Sequence, residues 1–253
     1  MTDRARHIRC GDPLSLARAI TAVENRTPEG AAILAELAPF AGRARIAGIT
    51  GPPGAGKSTL IDALARHLRR QSKSVAVLAI DPSSRITGGA ILGDRIRMQR
   101  HSGDAGVYIR SVATRGSSGG IAGATADLVR LLDGAGRDAV LVETVGVGQD
   151  ETEIAALVPV TVVVLAPGMG DDVQALKAGI MEIASVFVVN KSDQPGADRV
   201  AAEVRGMLDL VTGAAHPAVL QTVASQDRGI GELWEAIERA SAGIIRRQAP
   251  TGD

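Results

Sequence analysis

The sequence predicts a three-layer α/β fold on a mostly parallel central sheet, and three observations carry that prediction. Seven short runs rich in Val, Ile and Leu recur at 46–50, 75–80, 107–112, 139–143, 160–166, 186–190 and 218–222. They lack the polar alternation of a half-solvated strand and read as strands covered on both faces. Between most of them lies an amphipathic stretch long enough for a helix, at 59–70, 121–132, 171–183 and 197–210. Such alternation implies right-handed crossovers and a parallel sheet with helices on both sides. Finally, a glycine-rich segment joins the first run to the first of these helices, the kind of connection at which open α/β sheets bind ligands.

The elements before the first strand are helical. Over 13–38, Leu14, Ala17, Ile20 and Val23 follow helical spacing, and Pro28 opens a second helix before 31–37. The expected organisation is a helical N-terminal extension over 1–43, one α/β domain over 44–246 and a tail over 247–253. Composition supports a globular chain, with 45% hydrophobic and 22% charged residues. Lys plus Arg and Asp plus Glu each number 28, so no net charge gathers a polyanion, and neither a nucleic acid nor a membrane surface is expected as a partner. Phe40, Tyr108, Phe187 and Trp234 are the only aromatic residues, which makes the core aliphatic. The single cysteine, Cys10, excludes an internal disulfide framework. The longest apolar stretch, 157–166, is interrupted by Pro159 and is too short to span a bilayer. Asp3 and Asp12 break the Arg4, Arg6, Arg9 pattern that a transit peptide would need, so the expected location is the cytoplasm.

The strongest chemical signal is Gly51-Pro52-Pro53-Gly54-Ala55-Gly56-Lys57-Ser58-Thr59, which matches the phosphate-binding loop of P-loop NTPases. Its flanks agree: a β-type run precedes it, and a helix with Leu60, Ile61, Leu64 and Leu68 inward follows. Glycines let the backbone N–H groups of Gly51, Gly54, Ala55, Gly56, Ser58 and Thr59 converge on phosphate oxygens, and Pro53 belongs to the same loop without an N–H of its own. Lys57 supplies a point charge for the β- and γ-phosphates, and the Ser58 hydroxyl can ligate Mg2+.

The base is selected at Asn190-Lys191-Ser192-Asp193, directly after the apolar run that includes 186–189. A carboxylate at Asp193 accepts from both N1–H and the exocyclic amine of guanine, whereas adenine has no donor at N1 and would leave it poorly paired. Asn190 can serve N7, the Lys191 stem can cover one face of the base, and the Ala224 N–H can meet O6. GTP and GDP are therefore the expected nucleotides. Between these motifs Glu143-Thr144-Val145-Gly146 follows a strand, where G proteins carry an acid that reaches magnesium through water and a glycine N–H for the γ-phosphate. Asp81 ends the second strand, and its reading stands between a phosphate or magnesium role and a helix cap. Asp94 follows in Gly93-Asp94-Arg95 and stays open between the same phosphate or magnesium role and a purely structural one. His7, His67, His101 and His216 have no metal-ligand spacing and are expected as surface or capping residues. Arg95, Arg97 and Arg100 read as a solvated stripe, and 115–120 as a loop.

Several runs together resemble the MeaB/ArgK family of G-protein chaperones of adenosylcobalamin-dependent acyl-CoA mutases. They are LARAITAVEN (16–25), GITGPPGAGKSTLID (48–62), LAIDPSSRITGGAILGDRIRM (78–98), ETVGVGQDE (143–151) and GDDVQALKAGIMEIASVFVVNKSD (170–193). The resemblance spans roughly 12–240 and implies a SIMIBI-class G domain, the class that includes nickel-insertion GTPases. It implies that Glu143 is the family's variant of the magnesium-side acid and that Asp81 and Asp94 also lie near magnesium. It assigns 83–98 to switch I, 143–151 to switch II and 167–181 to switch III, with Lys177 linked to partner-dependent activation. Lys57, Asp94, Glu143 and Lys177 are then the expected catalytic residues.

The same resemblance implies a GTPase that gates adenosylcobalamin delivery to a mutase and helps remove inactivated cofactor. The mutase, not this chain, would hold the cobalamin, and a cobalamin adenosyltransferase is a further expected partner. The family is typically dimeric through an arm beyond 229–237, which is expected to be missing or shortened here. Ile96, Ser118 and Ser185 depart from the residues frequent at those positions, which points to a subfamily serving a mutase such as one for isobutyryl- or 2-hydroxyisobutyryl-CoA. No glutamine directly follows Gly146, and Gln149 comes only after Val147 and Gly148, so hydrolysis is expected to be slow until a partner completes the site. The competing readings are a metal-insertion GTPase, which would need a Cys/His ligand set, a protein kinase of amino-acid transport, and a binding-only GTP switch.

Overall fold

The structure is a computed structural model of the chain and describes residues 1–81, 99–101, 103–113, 120–144, 150–169, 180–210 and 216–248. The strands are β1 (Arg45–Thr50), β2 (Val75–Asp81), β3 (Val107–Ala113), β4 (Ala139–Thr144), β5 (Val160–Leu165), β6 (Val186–Val189) and β7 (Ala218–Gln221). They form one sheet in the order β3-β2-β4-β1-β5-β6-β7. The registered pairings β1 with β5, β2 with β3, β5 with β6 and β6 with β7 are all parallel. The predicted three-layer α/β architecture is the one found, and each predicted strand is present with ends shifted by a residue or so. β4 and β5 are buried along their whole length, as their unbroken aliphatic sequence requires.

The chain divides into two compact units, Met1–Ile46 with Leu68–Val142 and Ala47–His67 with Glu143–Asp253. In the first unit, α1 (Asp3–Arg9), α2 (Pro13–Glu24) and α3 (Pro28–Leu37) precede the strands. Each starts on a side-chain cap: Thr2, Asp12 and Thr27 accept from Ala5 N–H, Ser15 N–H and Gly30 N–H. Leu16, Ala19, Ile20 and Val23 make the buried stripe of α2, which packs with α3 on α5 (Gly120–Gly134). Asp133, near the end of α5, is buried and accepts from three consecutive backbone N–H groups, Gly42 at 2.5 Å, Arg43 at 3.1 Å and Ala44 at 2.9 Å. That carboxylate fixes the entry into the sheet. At the start of β2 and β3, Arg69 donates from Nε and Nη2 to the two oxygens of Asp104, at 2.8 and 2.9 Å. The fork–fork pair holds the Asp104 carboxyl below its ordinary range and raises Arg69.

In the second unit, α4 (Lys57–Arg70) begins directly after the glycine-rich loop, and Leu60, Ile61 and Leu64 are fully buried as predicted. α6 (Asp150–Leu157), the short α7 (Ile180–Ile183), α8 (Ala197–Asp209) and α9 (Ile230–Gln248) complete it. Phe187 of β6 lies in an aliphatic cluster with Val163, Leu165 and Val189 from the sheet and Val200, Ala201, Val204 and Leu208 from α8. α6 and α9 add to the predicted helices, and only the last turn of the helix expected at 171–183 lies within the described residues.

One expectation is narrowed. Of the surface and capping roles expected for His101, its burial, at 9% exposure in a short 3-10 turn between β2 and β3, excludes the first. Among the described residues no helix is long and apolar enough to cross a membrane, and no three His, Cys, Asp or Glu gather as a metal-holding cluster.

Candidate nucleotide-binding site

The site is built where β1 stops. Thr144 Oγ1 at the end of β4 donates to Thr50 Oγ1 at 2.9 Å, and both side chains are buried. The chain then turns through Gly51, whose φ is +134° and whose added Cβ would stand 2.1 Å from the Val164 carbonyl oxygen of β5. Only glycine meets both conditions. Gly56 is constrained in the same way, with φ +93° and an added Cβ 2.5 Å from Asn190 Nδ2. Ala55 is buried at the base of the loop, while Pro53, Gly54 and Thr59 stand on its exposed rim. The helix then starts with Leu60 N–H donating to Gly56 O at 2.9 Å. A loop of this shape at a helix N-terminus can cradle phosphate oxygens.

Lys57 is buried, and its ammonium folds back to donate to Gly51 O at 2.8 Å and Pro52 O at 3.1 Å. The charge is thus held across the loop mouth by two neutral carbonyls, which an anionic phosphate can outcompete. Ser58 Oγ donates to Glu143 Oε1 at 2.7 Å, with both residues buried. A hydroxyl and a carboxylate oxygen in contact form a hard donor set that suits Mg2+.

The second wall is Asn190–Asp193. Asn190 is 2% exposed and holds three elements together. Its Nδ2 donates to Ala55 O at 3.0 Å, and its Oδ1 accepts from Thr222 Oγ1 and from Ala224 N–H, each at 3.1 Å. The Asn190 amide keeps a second N–H beyond the one given to Ala55. The Ala224 N–H expected for guanine O6 is spent on Asn190 here. Lys191 has a left-handed backbone, φ 56°, and its ammonium donates to Gly54 O at 2.8 Å, so its stem runs alongside the phosphate loop. Ser192 N–H donates to Thr222 O at 3.0 Å, and Asp193 projects exposed from the turn. The base loop and the phosphate loop are therefore tied by two side chains of one tetrapeptide.

Of the remaining expected residues, Asp81 is the last residue of β2. Gly146, Asp94 and Lys177 lie outside the described residues, as do all of 83–98 and most of 143–151 and 167–181. The hydroxyls of Thr50, Thr144 and Thr222 are the residues that motif reading passed over. Their signal was a threonine at a strand's carboxyl end, directly before or after a motif residue.

A family model described as "Methylmalonyl Co-A mutase-associated GTPase MeaB" matches residues 16–248. The chain belongs to the MeaB family of GTPases. It is 52% identical over 233 residues to "Putative GTPase PYRAB02490" of Pyrococcus abyssi, covering 90% of this chain and 72% of that protein. It is 40% identical over 251 residues to "GTPase ArgK" of Escherichia coli, covering 94% and 75%. A crystal structure of "LAO/AO transport system kinase" superposes with a TM-score of 0.77 at 32% identity, covering 97% of this chain and 76% of that one. As a MeaB-family GTPase with a SIMIBI P-loop fold, the chain binds guanine nucleotide and hydrolyses GTP.

Proposed function

We propose that this MeaB-family GTPase is a chaperone that uses GTP to gate adenosylcobalamin delivery to a cobalamin-dependent acyl-CoA mutase and to protect or reactivate that mutase. The family's association with methylmalonyl-CoA mutase supports the client class. The observation that carries the nucleotide half is the double tie of Asn190 to Ala55 and Lys191 to Gly54, which couples recognition of the base to the phosphate loop. In this reading Gly51, Pro53, Gly54, Ala55, Gly56, Ser58 and Thr59 shape the phosphate cradle and Lys57 moves from its carbonyls to the β- and γ-phosphates. Asp193 pairs with the guanine N1–H and amine, the Lys191 stem covers the base, and Asn190 offers its second N–H to N7. Ser58 and Glu143 would hold Mg2+, which when bound neutralises charge building on the phosphates. The family resemblance adds Asp81 and Asp94 as acids near the metal, Gly146 as a γ-phosphate donor and Lys177 as the partner-dependent activator.

Hydrolysis by the chain alone is slow on this account, because no side chain directly after Gly146 orients water. Loss of the γ-phosphate then releases the switch segments and changes affinity for the mutase. Residues 1–43 act as a helical extension of a G domain over 44–246 followed by a tail at 247–253, the protein works in the cytoplasm, and a cobalamin adenosyltransferase is a second partner. Homodimerisation, usual in the family, belongs to the same reading.

The test is steady-state GTP hydrolysis by the purified chain, alone and with methylmalonyl-, isobutyryl- and 2-hydroxyisobutyryl-CoA mutases, with ATP and Lys57→Ala as controls. Stimulation by one mutase supports the chaperone role and identifies the client. Turnover unchanged by every mutase contradicts it and favours a metal-insertion GTPase or a binding-only switch.

A further inference from the structure

Arg66 sits on α4 nine residues after the phosphate-loop lysine, outside every motif that defines the site. Its guanidinium is shared between two carboxylates. Nη1 bonds Asp62 one helical turn back, and Nη2 donates to Asp227 Oδ1 at 2.6 Å. Asp62 is buried and Arg66 and Asp227 are partly buried, at 12%, 27% and 31% exposure. The contact therefore counts for more than a solvated surface pair.

Asp227 closes the turn that carries Ala224. Residues 224–226 form a 3-10 turn, Asp227 N–H donates back to Ala224 O, and Val223 and Arg228 exchange backbone hydrogen bonds. Asp227 takes a left-handed backbone, φ 56°, which aspartate tolerates at some cost and glycine adopts freely. We infer that Arg66 is a positioning residue for guanine recognition: it clamps the 223–228 turn to α4, and the Ala224 N–H of that turn holds Asn190 Oδ1 at 3.1 Å, so the clamp fixes the amide that offers its second N–H to guanine N7. The inference rests on the guanine reading above and names the residue that sets the geometry of its N7 contact. A two-carboxylate anchor on the same helix as Lys57 makes the base loop and the phosphate loop parts of one rigid frame.

The test uses the full chain, fluorescent GDP release and competition with three nucleotides. The variants are Asp227→Asn, which keeps the shape but weakens the pair, Asp227→Gly, which removes the carboxylate while relieving the left-handed backbone, and Arg66→Gln. Each is expected to speed GDP release about tenfold, the scale of losing one charge-assisted hydrogen bond. The double variant Arg66→Gln with Asp227→Asn is expected to add nothing beyond the singles. The diphosphate of 7-deazaguanosine keeps N1–H, O6 and the exocyclic amine but lacks N7, so its affinity is expected to stay unchanged while that of GDP falls. Asp227→Gly separates this from a general structural effect, because its melting temperature is expected to stay near wild type. Equal losses for GDP and the N7-lacking analogue, or unchanged release in Asp227→Gly, would overturn the clamp. A wild-type chain that did not prefer GDP to ADP would instead overturn the guanine reading itself.

Discussion

Replacing Asn190 by alanine removes a side chain that touches the phosphate loop, the end of β7 and the Ala224 turn at once. Three hydrogen bonds disappear, to Ala55 O, from Thr222 Oγ1 and from Ala224 N–H, in a spot only 2% exposed. At roughly 1 kcal/mol net for each bond, and more where a buried partner stays unsatisfied, the loss is about 3 kcal/mol. For a chain of this size that corresponds to a fall of about 6–12 °C in melting temperature. Calorimetry of the nucleotide-free protein measures it. Asn190→Asp sharpens the test, because it keeps both Oδ1 contacts yet sets a carboxylate against the Ala55 carbonyl. It is expected to lose GDP affinity through the phosphate loop while retaining more stability than the alanine variant. A melting temperature within 2 °C of wild type for Asn190→Ala, on the same scale of about 2–4 °C per kcal/mol, would refute the idea that this amide holds the loops together.

Gly56→Ala combines a φ of +93° with a Cβ that would stand 2.5 Å from Asn190 Nδ2, so it is expected to destabilise the chain by about 1–3 kcal/mol and to abolish nucleotide binding by equilibrium dialysis. Asp133→Ala leaves the N–H groups of Gly42, Arg43 and Ala44 without their acceptor and is expected to cost about 2–4 kcal/mol in urea unfolding, with GDP affinity unchanged. Asp104 has its carboxyl held low by Arg69, so its contribution is present above the unfolded aspartate value of about 3.9 and fades as pH falls through the lower folded value. Stability measured against pH is then expected to drop less steeply on the acid side in Asp104→Asn.

The phosphate loop and the Asn-Lys-x-Asp tetrapeptide were legible because each is a short run whose backbone geometry and chemistry are both local. The strands were legible for the same reason, since burial on both faces leaves an unbroken aliphatic run such as 160–165. What was hidden is long-range. Asp133 accepts from backbone groups about ninety positions earlier in the chain, and no periodicity in α5 marks it as different from a surface acid. Arg66 reads as one cation among 28 Lys and Arg until the fold brings Asp227 to it. His101 reads as polar, and its burial depends on the turn between β2 and β3 rather than on its neighbours. The helix Ile230–Gln248 did carry a signal, with Ile230, Leu233, Trp234 and Ile237 at helical spacing and all buried. Asn190 shows the boundary most clearly. Its residue type predicts contact with the base, while the fold also uses it as the tie between two loops.

The most direct test of the central claim is single-turnover GTP hydrolysis by the purified chain with and without each candidate acyl-CoA mutase. The account predicts slow turnover alone, acceleration by one mutase, no activity with ATP, and none in Lys57→Ala. Turnover alone at the roughly 5–20 per second of a partner-activated G protein would contradict it, as would a rate that no mutase changes.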